Sequence, residues 1–297
     1  MATNVSISVL IPSYNSRRTI RTCLLSVQRQ ETDFAYEVIV VDSSRDGTPD
    51  LIRSEFPDVK LIRLAQKTFA GVARNIAASS VQSDLLAFID SDCTAPPGWL
   101  RSLAYRLQNG ESVVGGAVDN GTPLSLIGTA DYLLAFSEFS SSAPVRTPDF
   151  LVSCNLGVKR QLFLDSGGFP RLFTAEDTAL TRRLSLRSTL CFDPTIVVSH
   201  TNRENARDYL FHHFMFGKFS AIVRKSLPIP GRMLAACPLL AFFAFPIRIV
   251  RVITRFAGWK LVSFDRFLVL LPWIFVGTAA WGAGFVIGAW SRERLKP

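Results

Sequence analysis

Short apolar runs alternate with amphipathic stretches through the first ninety residues. Residues 7–11 (ISVLI), 37–41 (EVIVV), 59–64 (VKLIRL) and 84–89 (DLLAFI) read as buried strands. Between them, residues 19–30, 49–55 and 71–80 have helical composition. Three successive strand–helix–strand units predict an α/β fold built on a doubly wound, mainly parallel sheet. Pro49 after Thr48 marks a helix start, with Thr48 expected as its cap. Beyond Asp92 the alternation turns irregular. Residues 112–118, 150–158 and 190–198 are expected to add strands that make the sheet mixed.

The last third follows another pattern. Residues 267–290 contain no charge, and as a helix they would reach about 36 Å, more than the roughly 30 Å hydrocarbon core of a bilayer. This run is predicted to be a transmembrane helix. Residues 233–247 are also charge-free but span only about 22 Å as helix. Extending that run to residue 253 admits Arg248 and Arg251, which would have to snorkel, and Pro238 and Pro246 add kinks. Two pictures stay open: a helical hairpin with both ends cytosolic, or a re-entrant or interfacial segment followed by one span. Residues 207–225 (RDYLFHHFMFGKFSAIVRK) suit a helix on an anionic membrane surface or one packed on the front domain, with His212 and His213 at a surface. The expected division is a strand–helix domain over 1–202, a basic aromatic linker over 203–232 and a membrane-associated region over 233–297.

Composition and charge sharpen this division. With 48% hydrophobic and 19% charged residues, the chain is not disordered in the main. The net charge of +9 is uneven: residues 203–297 hold 14 Lys/Arg and 4 Asp/Glu, leaving 19 basic and 20 acidic groups in residues 1–202. Positive charge set between apolar runs argues against a nucleic-acid partner and toward membrane lipids. The five cysteines are scattered, without a CxxC or Cys/His cluster, and read as buried thiols. The N-terminus has no basic region and its first apolar run is short, so no signal peptide is expected and the front domain should stay cytoplasmic.

In open parallel sheets, ligands bind outside the carboxyl ends of the strands. Here those ends carry Pro12-Ser13-Tyr14-Asn15, Asp42 and Asp90-Ser91-Asp92. Neither GxGxxG nor GxxxxGK[ST] follows a strand, so no dinucleotide fingerprint or P-loop is present. Asp90 and Asp92 are two repelling carboxylates two residues apart, a set suited to Mg²⁺ or Mn²⁺. A cation there would neutralise a diphosphate leaving group. Asp42 either accepts an N–H from a nucleobase on which Tyr14 stacks, or caps the turn that follows. Asp46-Gly47 reads as turn chemistry. Arg74, one turn into a helix, suits phosphates or a base carbonyl.

Taken in order, ISVLIPSYN, VIVVDSSRDGT, AGVARNIA, LAFIDSDC, CNLGVKRQLFLDSGGF and AEDTALTRRL resemble glycosyltransferase family 2, inverting enzymes of the GT-A fold, over about residues 5–200. The resemblance implies that Pro12, Tyr14 and Asp42 form a nucleobase and ribose pocket. It implies that Arg74 and Asp90 contact the donor, that Asp92 binds the metal, and that Asp177 is the catalytic base with Glu176 beside it. On physical grounds alone, Glu176 and Asp177 would simply complement a helix dipole. His200 is implied as a further metal ligand, or is a strand-end histidine bonded to backbone. Asn155 matches an asparagine on the acceptor side. The Gln-x-x-Arg-Trp block of processive members is missing, which points to transfer of a single sugar. The expectation is a membrane-attached, Mn²⁺- or Mg²⁺-dependent enzyme moving a sugar from a nucleotide-sugar donor to a lipid-linked or glycan acceptor. A nucleotidyltransferase would need a glycine-rich basic loop after the first strand, where Ser13-Tyr14-Asn15-Ser16 stands. A non-catalytic membrane scaffold is disfavoured by the presence of Asp42, Asp90, Asp92 and Asp177.

Overall fold

Four strands, β1 (Ile7–Ser13), β2 (Tyr36–Asp42), β3 (Lys60–Arg63) and β4 (Leu85–Ile89), alternate with α1 (Ile20–Gln28), α2 (Thr48–Glu55) and α3 (Ala70–Ser79). The computed structural model describes residues 7–259 and 261–295. β1 and β4 are buried at every position, because helices cover both faces of the sheet and no polar face is needed. α2 departs in one detail from its expected start. Thr48 is the first helical residue rather than the cap, and its N–H and hydroxyl both donate to Asp46 Oδ1 at 3.0 and 2.5 Å.

The chain continues through β5 (Cys93–Thr94), α4 (Trp99–Gln108), β6 (Val113–Asn120), α5 (Leu126–Ala135), β7 (Asn155–Lys159), α6 (Arg160–Asp165), α7 (Glu176–Leu184) and β8 (Leu190–His200). These eight strands form one sheet in the order β3-β2-β1-β4-β7-β6-β8-β5. The first four are mutually parallel, β7 is antiparallel to β4 and β6, and β8 is parallel to β6. This is the mixed α/β sheet expected, although the strand anticipated over 150–158 begins only at Asn155. The β6–β8 ladder shifts register between Gly116 and Ala117. A Cβ on Gly116 would lie 2.1 Å from Ile196 O and 2.2 Å from Asn155 Nδ2, so only glycine fits there.

The C-terminal third forms α8 (Ala206–Ser226), α9 (Arg232–Ala236), a 3₁₀ turn at Leu240–Phe243, α10 (Ala244–Trp259) and α11 (Phe264–Trp290). No continuous helix covers 233–253. Pro238 forces the preceding Cys237 out of the helical region (φ −108°, ψ 108°), and the chain breaks there. α8 is not a helix lying free on a surface; it runs alongside α11 with their backbones in contact. A Cβ on Gly217 would lie 1.9 Å from Trp281 O, one on Gly284 1.9 Å from Phe214 O, and one on Gly288 2.2 Å from Lys218 O. Small residues permit such an approach between apolar helices. Tyr209 adds a hydroxyl donated to Trp273 O at 2.6 Å, and Lys225 Nζ caps the end of α11 through Gly288 O and Ser291 O at 2.7 and 2.6 Å.

α11 therefore has two faces. It is long and apolar enough to cross a membrane, yet 44% of its most apolar stretch is buried inside the protein. Leu270, Ile274, Trp281 and Phe285 pack inward, while Leu268, Val269, Phe275 and Ile287 stay exposed. Gly284→Val would force α8 and α11 apart. Overpacking of this kind typically costs about 1–3 kcal/mol, so the melting temperature in detergent should fall. An unchanged melt would show that the two helices do not meet at Gly284.

Candidate active site

A cleft of about 600 Å³ opens at the carboxyl ends of β1 and β4, lined by Pro12, Tyr14, Asp90 and Asp92 and, across from them, Arg203 and Asp208. Asn15 turns the chain away from β1 with a left-handed φ of 52°, its N–H held by Ser44 Oγ at 2.6 Å. That turn leaves the Tyr14 ring 36% exposed beside the cleft, with Lys67 Nζ 4.3 Å above it. Asp42 is placed differently from the nucleobase expectation. It is fully buried behind the cleft, and both its oxygens are occupied. Oδ2 accepts from Ser13 Oγ (2.7 Å) and Ser44 Oγ (2.5 Å), and Oδ1 from Ser44 N–H (3.1 Å) and Arg63 (2.8 Å). These are the bonds of a turn cap. They fix the β1 and β2 ends against each other and leave no lone pair for a base.

Asp92 and His200 meet on the other side of the cleft. Cys93 on β5 pairs with His200 on β8, and Thr201 N–H bonds Asp92 O at 2.8 Å, which carries the end of β8 to the acidic turn. His200 Nε2 lies 3.4 Å from Asp92 Oδ1, and its Nδ1 lies 3.1 Å from Asn202 Oδ1. The Asn202 amide is oriented by three acceptors for its Nδ2, namely Asn120 Oδ1, Thr122 Oγ1 and His200 O. Its Oδ1 therefore accepts from Nδ1–H, which turns Nε2 toward a carboxylate oxygen of Asp92. Two acceptor atoms converging with one ring nitrogen fixed from behind fit a divalent cation. The ligand atoms of Asp92, Cys93 and His200 all lie within 4.8 Å of one another.

Deeper in, Arg74 is almost wholly buried and bridges Asp90 (2.5 Å) and Glu176 (2.9 Å). It braces two carboxylates together, and its Nε is left without a partner among the described residues. Glu176 and Asp177 open α7 after Ala175, whose left-handed φ of 63° swings the chain into the helix. Neighbouring helix positions point different ways. Glu176 thus turns inward to Arg74, while Asp177 faces a cavity and takes the Thr178 N–H at 2.6 Å. Burial pushes the Asp177 carboxyl up from its usual range; Thr178 N–H and Arg74 oppose this, and Asp90 adds to it. Burial also raises Glu176, with Arg74 pulling down and Asp177 pushing up.

Three cavities share walls in sequence. The cleft shares Asp90, Asp92 and Arg203 with a chamber of about 270 Å³ that also contains Arg74, Glu176, Asp177 and His200. The chamber shares Asp177, Val152 and Phe216 with a third cavity of about 360 Å³ under α8 and α10. Asn155 takes no place in any of them. Its Oδ1 accepts from Trp99 Nε1 and its Nδ2 donates to Ala117 O and Ile196 O, each at 2.8 Å, so it ties the bulged β6–β8 ladder to β7 and α4. The site also holds residues that the sequence pattern did not single out. Asn202, Arg203 and Asp208 line or support the cleft from the polar run that follows β8, a run whose position at a strand end was the available signal. Asp131 on α5 is fully buried against Arg203 (3.3 Å) and His213 (3.0 Å), so His213 is a core residue rather than a surface one.

The sequence pattern described as glycosyl transferase family 2 matches residues 8–153. The chain is similar to glycosyltransferase AglE of Haloferax volcanii, with 30% identity over 185 residues, 60% of each protein. The alignment thus covers less than two thirds of that relative's length. In fold it is similar to the mannosyltransferase PcManGT of Pyrobaculum calidifontis, solved with GDP-Man and Mn²⁺, with a TM-score of 0.64 and 19% identity over 97% of this chain and 88% of that one. It is also similar to residues 1–349 of S. aureus TarS, solved with UDP-GlcNAc, with a TM-score of 0.55 and 18% identity over 95% of this chain and 90% of that one. The family's pattern lies over the strands and turns that build the cleft, and the whole sheet follows the GT-A architecture of these neighbours. Residues 8–153 form a glycosyltransferase family 2 domain.

Proposed function

We propose that the protein is an inverting glycosyltransferase that moves one sugar from a nucleotide-sugar donor to a hydroxyl of a lipid-linked or glycan acceptor. The observation that carries this reading is the row of three wall-sharing cavities, with the Asp92–His200 pair beside the first and Asp177 between the second and third. The nucleotide lies in the 600 Å³ cleft with its base on Tyr14 and Pro12, and the sugar enters the chamber beside Asp90. The acceptor hydroxyl approaches from the third cavity, loses its proton to Asp177, and its oxygen bonds to the anomeric carbon. The bond from that carbon to the diphosphate breaks on the opposite face, and the nucleoside diphosphate leaves with the electron pair. Asp92 and His200 would hold a divalent cation, Mn²⁺ or Mg²⁺, which supplies positive charge next to the departing diphosphate. Nucleotide-sugar complexes of both structural neighbours support the donor class.

The enzyme attaches to a membrane by the face of α11 that α8 and α5 leave open, where Leu268, Val269, Phe275 and Ile287 are exposed. We assign the catalytic domain to the cytoplasmic side, in keeping with five unpaired cysteines.

Calorimetric titration of the detergent-purified protein with UDP, dTDP and GDP, each with and without Mn²⁺, tests the donor site. One nucleotide should bind in a Mn²⁺-dependent way, and Asp92→Ala should weaken that binding at least about tenfold, the effect of losing a direct metal contact. Failure of every nucleotide to bind to folded protein would sink the assignment.

A further inference from the structure

The third cavity carries chemistry that transfer to a neutral hydroxyl does not call for. Its walls include Arg224 from α8 and Arg248, Arg251 and Arg255 from α10, against Glu138, Asp149 and the base Asp177. Several arginines around the site are matched by a carboxylate: Arg74 by Asp90 and Glu176, Arg203 by Asp131, Arg255 by Glu138, and the more exposed Arg63 by Asp42. Among the described residues, Arg224 and Arg248 have no carboxylate within ion-pair distance. Arg224 bonds only neutral oxygens, on Ser220 and Pro230. Arg248 donates to Leu134 O at 2.7 Å and lies 4.4 Å over the Trp281 ring, and its buried Nε has no partner.

Glu138 is already spent on two cations, bonding Arg255 through its carboxylate and Arg146 through its carbonyl and a 4.0 Å ion pair. Burial, followed by Arg255 and Arg224, pulls the Arg248 guanidinium down to about 9. Burial and Arg251 pull Arg224 down to about 10. Glu138 and Asp149 line the same cavity but stand beyond ion-pair distance of Arg224 and Arg248, so these two guanidinium groups have no direct counter-anion among the described residues. Bidentate donors of this kind match a phosphate.

The remainder of the lining is apolar, from Phe216, Ile229, Leu234, Trp281 and Phe285. At the α10 side, exposed Ile247 and Arg251 belong to the lining, and exposed Val250 and Ile253 continue the apolar surface along the same helix. The volume of about 360 Å³ falls in the usual range for small-ligand sites.

Resting on the glycosyltransferase reading above, we infer that this cavity binds the phosphate or diphosphate of the acceptor, held by Arg224 and Arg248, with its hydroxyl-bearing end at Asp177 and its hydrocarbon chain leaving along α10. The acceptor is thus an amphiphile whose sugar is linked through phosphate to a lipid chain. Arg251, at the rim, meets the anion first and guides it inward.

Tryptophan fluorescence and calorimetry on the full chain in neutral detergent test this with three probes: farnesyl phosphate, farnesol and inorganic phosphate. Farnesyl phosphate and farnesol partition into micelles through the same chain, so a difference between them isolates the phosphate. Farnesyl phosphate should bind at least tenfold more tightly than either of the others. Arg248→Gln and Arg224→Gln should each lose most of that margin, and the exposed Arg251→Gln, which carries little risk of misfolding, should reduce it severalfold. Equal binding of farnesol would overturn the phosphate site, and equal binding of inorganic phosphate would overturn the lipid source. No binding by any probe would overturn both. Nucleotide binding is measured on the same samples. If it persists while farnesyl phosphate fails, the acceptor inference alone falls, and if it is absent from folded wild-type protein, the transferase reading falls with it.

Discussion

Asp177→Asn is expected to slow sugar transfer by about 10²–10⁴-fold, the usual contribution of a positioned general base, with nucleotide affinity changed little. The amide keeps the shape of the side chain and its place at the start of α7, so folding should survive. What it loses, on the proposed mechanism, is the capacity to take the acceptor proton. A second signature follows from the surroundings of Asp177. Burial raises its carboxyl, and the groups facing it are Arg74 and the N–H groups of Thr178 and Ser153, which lower it, and Asp90, which raises it. Because the base works only when ionised and its affinity for protons is raised, activity should fall as pH drops through a value above the usual carboxylate range of about 4. A pH profile of kcat/KM reads this limb directly. A flat profile down to that range, or an Asn variant with near-wild-type turnover, would remove Asp177 from the chemistry and leave it as a helix-start residue.

The sheet was legible in the sequence because its strands are buried on both faces, which compresses them into unbroken apolar runs such as ISVLI and LLAFI. The acidic turn after β4 was legible only as an acid-rich strand end: its partners come from elsewhere, with Arg74 on α3 neutralising Asp90 and His200 at the end of β8 meeting Asp92. Asp42 was less so. Its fate depends on Ser13 at the neighbouring strand end and on Arg63 at the end of β3, and neither partner leaves a mark at position 42 itself. Asn155 carried no sign that Gly116 and a register shift would make room for its amide. The C-terminal region shows a different limit. Charge-free length fits a membrane span and a half-buried packing helix equally well. The glycines at 277, 284 and 288 in α11 and at 217 in α8 were the available clue to close helix contact, and length outweighed them.

Asp131 is the residue whose loss should cost most in stability, and nothing in its local sequence, TADYLLA, announces this. Its carboxylate is fully buried between α5 and α8, with Oδ2 accepting from the Arg203 N–H at 3.0 Å and Oδ1 lying 3.0 Å from His213 Nε2. Burial opposes the charge, but His213 and Arg203 outweigh it and hold the Asp131 carboxyl well below the usual range. Asp131→Ala leaves a buried imidazole and a half-buried guanidinium without their partner. Breaking such a cluster costs about 3–5 kcal/mol, and since Arg203 is partly solvated the lower end applies. For a chain of this size the melting temperature should fall by on the order of 10 °C. A depressed folded-state carboxyl contributes stability that is present above its unfolded value and lost as pH falls. Burial also lowers His213, and a buried neutral imidazole likewise loses stability on acidification, from roughly pH 6.5 downward. The Asp131 contribution is therefore intact at pH 7 and is lost only as pH falls below its unfolded value of about 4. Asp131 itself holds His213 up against burial, so the imidazole of Asp131→Ala costs more on acidification. The gap between wild type and variant should widen from pH 7 toward about pH 5 and narrow only below about pH 4. Because Arg203 lines both the cleft proposed for the nucleotide and the chamber behind it, the same variant should bind nucleotide more weakly even at temperatures where it remains folded. A melt shifted by less than about 2 °C, below the effect of 1 kcal/mol, would mean that the Asp131 cluster contributes nothing net, and that Arg203 is held in the cleft by its backbone alone.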